Sequence, residues 1–211
     1  MAREKTSEER INMINTQLIN RGILDEKVLY AIKSIPRHEF VGLKYRSMAY
    51  FDGPIPIGKK QTISQPYITA YMTEVLQVRP NHTVLEIGTG CGYQTAVLSF
   101  LAKKVISLEI HKTLAVTAKK RLSRLGYDNV EIHHADGKMG WQKNAPYHRV
   151  LVTACPLKVP AELVNQLADG GTMVIPVGEK KENQNLMVIT KNMLGTVKAR
   201  PTLPVRFVPM L

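Results

Sequence analysis

Between residues 82 and 177 short, β-branched apolar runs alternate with amphipathic stretches, and this rhythm constrains the fold more than any other feature of the chain. Residues 83–87, 105–110, 130–133, 149–153 and 172–177 read as strands, the last entered through a turn at Gly170 and Gly171. Residues 92–102, 113–125 and 160–167 read as helices. Short strands joined through helices build a parallel, doubly wound α/β sheet covered on both faces. After Gly178 the pattern changes: residues 186–190 and 203–208 are strand-like with no helix of useful length between them. That predicts an antiparallel edge to the sheet.

Upstream of residue 82 the reading is helical. Ile11, Ile14, Leu18 and Ile19 recur at helical spacing over residues 7–20, with Ser7 as the expected cap. Asp25 is placed to open a second helix through Val28, Leu29 and Ile32, which stops before Pro36. Gln65 and Pro66 start a third, with Ile68, Met72 and Leu76 on one face. Residues 42–60 are rich in Gly, Pro and Tyr and read as a covering loop. The expected organisation is an N-terminal helical cap and substrate loop over 1–81 and an α/β ligand domain over 82–211, forming one compact unit.

Composition narrows the function classes. With 44% hydrophobic and 22% charged residues, a chain of 211 residues can bury a core without disulfides. Cys91 and Cys155 have no CxxC spacing and read as free thiols of a reduced, cytoplasmic protein. No apolar run approaches the roughly 18 to 20 residues of a membrane span. Residues 1–9 are charged and lead into no apolar h-region, so no secretory signal is expected. The net charge of +12 favours anionic partners, but it is spread along the chain and forms no basic arm, so nucleic acid is not expected. His133, His134 and Asp136 share one strand end and are too few for a metal site. Ser64 lies in no G-x-S-x-G elbow, which argues against a hydrolase built on Ser64 and His38. Cys155 reads as a small buried residue and Trp141 as a packing residue beneath the substrate loop.

The most informative segment runs from Val84 to Gln94 and joins the first strand to the first helix through Gly88, Gly90 and Gly92. Glycines there let a ligand approach the backbone at the carboxyl end of a strand, where open sheets bind ligands. Glu109 ends the next strand about 20 residues on, the position of a carboxylate that binds ribose hydroxyls. Asp136 and Gly137 follow the third strand and could flank a base. The spacing is G-x-G-x-G, with Glu86 two residues ahead of the first glycine. That suits a ligand with a cationic amino-acid tail, S-adenosylmethionine, which Glu86 would balance at short range. Cys91 sits at the start of the helix, where a thiol pKa is lowered.

These segments resemble the protein-L-isoaspartate (D-aspartate) O-methyltransferase family nearly end to end. Besides the glycine turn, which all class I methyltransferases share, the resemblance rests on Gln61-Thr62-Ile63-Ser64-Gln65-Pro66-Tyr67 and Val205-Arg206-Phe207-Val208-Pro209. Ile35-Pro36-Arg37-His38-Glu39-Phe40-Val41, Gly140-Trp141 and Ala145-Pro146-Tyr147 add to it. It implies a Rossmann-like class I methyltransferase sheet and methyl transfer to isoaspartyl and D-aspartyl residues of damaged proteins and peptides. Ser64 matches the family's active-site serine. Thr62, Ile63 and Ser64 match the loop over cofactor and substrate, and Gly88, Glu109, Asp136 and Gly137 match cofactor contacts; Glu86, Gly90, Cys91 and Gly92 belong with them. Tyr67 and the strand Val205, Arg206, Phe207 and Val208 match the substrate wall. A monomer is expected.

The chain departs from the family at Lys59 and Lys60, where histidine and glycine are common, and at Cys91, where serine is usual. Ala135 replaces a glycine and His148 an aspartate, and the chain ends at Leu211, short of a longer tail. These departures put substrate preference in question, with a class I methyltransferase acting on RNA or a small molecule as the alternative.

Overall fold

The computed structural model describes the backbone of residues 2–179 and 184–211, and their side chains from Thr6 onward. Helix α1 (Ala2–Met13) runs through a π turn, Ile14–Leu18, into a 3-10 turn that Gly22 closes with φ 86°. The helix begins before Ser7, so that hydroxyl does not cap it. Helix α2 (Glu26–Ser34) opens on Asp25, whose carboxylate accepts the Lys27 and Val28 N–H groups. A 3-10 stretch, Leu43–Met48, and strand β1 (Ile55–Gly58) lie within the segment expected to be loop, and β1 forms a hairpin with β2 (Gln61–Ile63) just beyond it. These strands have four and three residues, too short for alternation to register. Helix α3 (Pro66–Leu76) starts with Pro66 in its first turn.

The α/β part follows as β3 (Thr83–Ile87), α4 (Tyr93–Leu101), β4 (Lys104–Glu109), α5 (Lys112–Arg124), β5 (Val130–His134), β6 (Tyr147–Val152), α6 (Ala161–Asn165), β7 (Leu167–Val177), β8 (Gln184–Lys191) and β9 (Val197–Val205). One seven-stranded sheet has the order β5-β4-β3-β6-β7-β8-β9. The first five are parallel; β8 adds antiparallel to β7, and β9 antiparallel to β8. Strand order reverses beside β3, the switch point at which such sheets open a crevice.

Pleating sorts the core. Leu85, Ile87, Ile106, Leu108, Val150 and Val152 pack on one face with α6. Val84, Val105, Leu151, Val174 and Val188 pack on the other with Met72, Leu76 and Leu98 of α3 and α4. A third cluster joins the N-terminal helices and the hairpin to Cys91, Tyr93, Ala96 and Val97. Among the described residues no helix is long and apolar enough to cross a membrane.

Two strand limits differ from expectation. Strand β7 runs through Gly170 and Gly171, and its pairing with β6 slips between Tyr147 and Arg149; Gly170, at φ 73°, accommodates the irregularity. Strand β9 ends at Val205, so Arg206, Phe207 and Val208 lie beyond it. Both ends of this tail are held. Gln184 accepts the Phe207 N–H at 2.6 Å and donates to the Phe207 carbonyl, and Cys155 N–H donates to the Val208 carbonyl.

Candidate active site

A cavity of about 1190 Å³ opens at the carboxyl ends of β3 and β4. One wall is the glycine turn. Gly88 holds φ 94°, and a Cβ there would run into the Thr153 hydroxyl. That hydroxyl instead donates to the Ile87 and Gly88 carbonyls. Gly88 N–H donates to the Leu108 carbonyl at 2.8 Å, stitching the turn to β4. Glu109, only 4% exposed, is fixed at both oxygens: Oε2 accepts Gly90 N–H at 2.8 Å and Oε1 accepts His111 N–H at 2.9 Å. Asp136 lies after β5 and accepts Lys138 N–H, and a Cβ on the buried Gly137 would strike Ile87. The floor at this point is therefore bare backbone beside two carboxylates.

The other wall is the hairpin, the start of α3 and the C-terminal tail. Thr62, Ile63 and Ser64 line it, as do Val205, Arg206, Phe207 and Val208. Ser64 is partly buried, and its hydroxyl makes no hydrogen bond with a described residue. His38 does not approach it; His38 Nδ1 is 2.7 Å from the Tyr50 hydroxyl. The Ser64 carbonyl accepts from Arg37 Nη2 at 2.6 Å. Arg37 is fully buried, donates Nε–H to the Ala49 carbonyl at 2.8 Å, and lies over the Tyr93 ring. Burial pulls its pKa down, and no carboxylate is among its partners. Sequence reasoning left Arg37 without a role, because nothing local in Pro36-Arg37-His38 reveals a contact 27 residues away.

Three expected contacts lie outside the cavity. Glu86 points to the helix face of the sheet, since it alternates with Leu85 and Ile87. It is fully buried beneath α4, and its Oε2 accepts from Thr95 and Ser107. Burial raises its pKa to about 8, which favours the neutral acid near pH 7. Gly92 faces α5, where a Cβ would come within 3.1 Å of Leu122. Tyr67 shares a side of α3 with Tyr71, at the i, i+4 spacing, and stacks under the Arg21 guanidinium at 3.8 Å. Its neighbours Ile68 and Thr69 line the cavity instead. The Cys91 expectation also changes: the residue lines the cavity but is 7% exposed, and burial raises its thiol pKa against the helix N-terminus. Trp141 is not beneath the hairpin; it stacks on His133 at 4.2 Å. Among the described residues no group of His, Cys, Asp and Glu could hold a metal ion.

The sequence model described as protein-L-isoaspartate(D-aspartate) O-methyltransferase matches residues 8–211. The chain belongs to this family. It is 49% identical to the protein-L-isoaspartate O-methyltransferase of Synechococcus sp. (strain JA-2-3B'a(2-13)), over 100% of this chain and 88% of the relative. It is 50% identical to protein-L-isoaspartate O-methyltransferase 2 of Polaromonas sp. (strain JS666 / ATCC BAA-500), over 89% of each chain. In three dimensions it is similar to a Plasmodium falciparum chain assigned as a protein-L-isoaspartate O-methyltransferase and solved with S-adenosyl-L-homocysteine. That match has a TM-score of 0.81 and 25% identity over 96% of this chain and 98% of that one.

Within the family frame the departures separate by place. Lys59, Lys60 and Cys91 line the cavity. Ala135 packs against the core beside it, and its N–H donates to the Glu109 carbonyl. His148 lies at the opposite, amino-terminal end of β6. There its Nδ1 accepts Thr83 N–H and its ring stacks on His82 at 5.1 Å. It is on the sheet rim, but not on the substrate side.

Proposed function

We propose that this methyltransferase moves the methyl group of S-adenosylmethionine to the free α-carboxylate of isoaspartyl residues, and to the side-chain carboxylate of D-aspartyl residues, in damaged proteins and peptides. The observation that carries this reading is one cavity bringing Glu109, Asp136 and Gly137 together with Ser64 and the 205–208 tail. The donor set fits the cofactor. Glu109 keeps lone pairs for ribose hydroxyls after accepting its two backbone N–H groups. Asp136 and Gly137 would flank the base, and the backbone of Gly88, Gly90 and Cys91, which lines the same cavity, would take the amino-acid tail. S-adenosylmethionine, when bound, supplies the methyl group as an electrophile on a cationic sulfur.

The chain's own task is then to bind and aim the acceptor. A carboxylate has a pKa near 4 and is ionised at neutral pH, so no general base is required. The Ser64 hydroxyl, with no partner among the described residues, donates to one carboxylate oxygen and turns the other toward the methyl donor, a positioning role. Arg37 holds the Ser64 backbone in place from behind. The methyl ester formed is a better electrophile than the carboxylate. The backbone nitrogen of the following residue can displace methanol from it without the enzyme, giving a succinimide that hydrolyses partly to normal aspartate. In this reading the protein acts as a monomer in the cytoplasm.

The test is transfer of a labelled methyl group to an isoaspartyl peptide, its aspartyl twin and bulk RNA. Label on the isoaspartyl peptide alone is expected. Label on RNA, or equal label on both peptides, would overturn the assignment.

A further inference from the structure

The hairpin connection that rims the cavity is made of two lysines in a backbone conformation that lysine disfavours. Gly58 pairs with Gln61, so Lys59 and Lys60 are the whole of a two-residue loop. Both have positive φ, 52° and 58°, and Gly58 before them has φ 99°. A two-residue hairpin loop with both central residues left-handed favours Asn, Asp and Gly, because a Cβ crowds the following carbonyl. Residues held in such a region concentrate where function requires them.

Both lysines are exposed and both line the cavity alongside Thr62, Ser64 and Arg206. Neither ammonium forms an ion pair among the described residues, whereas Lys104 pairs with Glu131 and Lys191 with Asp169. The carboxylates of the cavity, Glu109 and Asp136, already accept backbone N–H groups and belong to the strand ends. Asp52, beside the hairpin, is held by Arg21 and Gln65. A single acceptor carboxylate needs one aimed donor, and Ser64 supplies it. The two ammonium groups exceed that need and stand at the exposed rim of the same cavity.

We propose that the Lys59–Lys60 turn is a selectivity element that favours isoaspartyl sites with an acidic residue within about two positions of the damaged one. The inference rests on the methyltransferase reading above and adds a substrate class to it. The acidic side chain pairs with the ammonium groups at the rim and draws the isoaspartyl carboxylate toward Ser64. A basic flank is repelled by the same groups.

Three isoaspartyl peptides that differ only in carrying Glu, Gln or Lys beside the damaged residue test this, with kcat/KM measured at low and at high salt. The expected order is Glu over Gln over Lys. The Glu-to-Lys ratio should be about tenfold at low salt, each lysine contributing roughly two- to fivefold as exposed ion pairs do. High salt should bring the ratio toward one. In the K59Q/K60Q double variant the ratio should fall to within about twofold of one at low salt. Using the ratio within each variant cancels any general loss of activity. A wild-type ratio of one at low salt would overturn the inference. So would a ratio that survives intact in the double variant, which would place the preference on Arg206 or on the overall charge. No turnover on any of the three peptides would overturn the methyltransferase reading, and this inference with it.

Discussion

The two walls of the cavity are built by different means. The wall that takes the cofactor in the proposed function, the cofactor wall, is made of strand ends and the turn between them, and the wall facing it is the proposed acceptor wall. The backbone of the cofactor wall is stitched strand to strand, and Glu109 is held at both oxygens by groups within a few residues of the β3 and β4 ends. The acceptor wall is a short hairpin, the start of a helix and an irregular tail. Two of its residues are held by buried side chains far away in sequence, Ser64 by Arg37 and Phe207 by Gln184. Damage to the first wall should therefore be local and read out in cofactor affinity. Damage to the second should spread through a pin and read out in turnover.

The largest effect is expected from Arg37→Met. It leaves the carbonyls of Ala49 and Ser64 without their donor in a buried place, at about 1 to 3 kcal/mol each. Denaturant unfolding should show a loss of that order, and kcat/KM should fall well beyond tenfold. S-adenosylhomocysteine should still raise the Tm, since the cofactor wall is untouched. A stable, fully active Arg37→Met protein would show that the acceptor wall needs no pin.

Glu109→Ala and Ser64→Ala form a crossed pair of intermediate size. Each removes a hydrogen bond to a charged partner, or from one, worth about 1.5 to 3 kcal/mol. Glu109→Ala should weaken cofactor binding by roughly 10- to 100-fold. Ser64→Ala should lower kcat by a similar factor and leave cofactor affinity unchanged. Calorimetric titration of the cofactor beside steady-state kinetics separates them. If cofactor affinity collapses in Ser64→Ala, the two walls are not independent and the serine is a binding residue. The rate of the wild-type enzyme should be flat above about pH 6, because the acceptor carboxylate is already ionised there.

The difference between the walls also explains what could be read in advance. The cofactor wall was legible because its signals are local: an apolar strand, three glycines, and Glu109 at the end of the next strand. Strand parity carries a further local signal: Glu86 alternates with Leu85 and Ile87, which puts it on the face that α4 covers and outside the cavity. Asp25 and Pro66 marked helix starts for equally local reasons. The acceptor wall was only partly legible. Ser64 came from a motif, but strands of three and four residues leave no period, and the partners of Arg37 and Gln184 are set by tertiary packing. The tail is strand-like in sequence through Val208, but β9 ends at Val205. Its exit after Val205 depends on Cys155 and Gln184, which no local pattern connects to it.

Glu86 gives a smaller effect, carried by pH. Its folded pKa, about 8, lies above the ordinary 4.5, so the folded state keeps a proton that the unfolded chain releases between those values. Stability from this group is full below about pH 4.5 and declines as pH rises to about 8. His82 acts oppositely. Burial, with Arg149 and His148 nearby, lowers its pKa from 6.5 to about 4, so its contribution is lost as pH falls through that window. Glu86→Gln keeps an oxygen for Thr95 and Ser107 and removes the titration. Its Tm should fall less than that of the wild type between pH 6.5 and pH 8.5. Parallel Tm curves for the two proteins would mean that Glu86 does not stay protonated under α4.

The smallest effect sharpens the comparison most, because the backbone should favour glycine at Lys60 on one wall as it does at Gly88 on the other. At Lys60 the backbone holds φ 58° with a Cβ present. The left-handed conformation costs a lysine about 1 to 2 kcal/mol, which glycine avoids. Glycine loses more backbone entropy on folding, about 0.5 to 1 kcal/mol. Lys60→Gly should therefore stabilise by about 0.5 to 1 kcal/mol, or roughly 1 to 4 °C in Tm for a chain of this size. Lys60→Ala removes the same charge but keeps the Cβ, so it should show no such gain. At Gly88, with φ 94° and the Thr153 hydroxyl in the way of a Cβ, the reverse change Gly88→Ala should destabilise. It should also displace the turn from β4 and weaken cofactor binding. Differential scanning calorimetry of the three variants decides the matter. Equal Tm values for Lys60→Gly and Lys60→Ala would mean that the hairpin loop is unstrained and that its lysines are there at no cost to the fold.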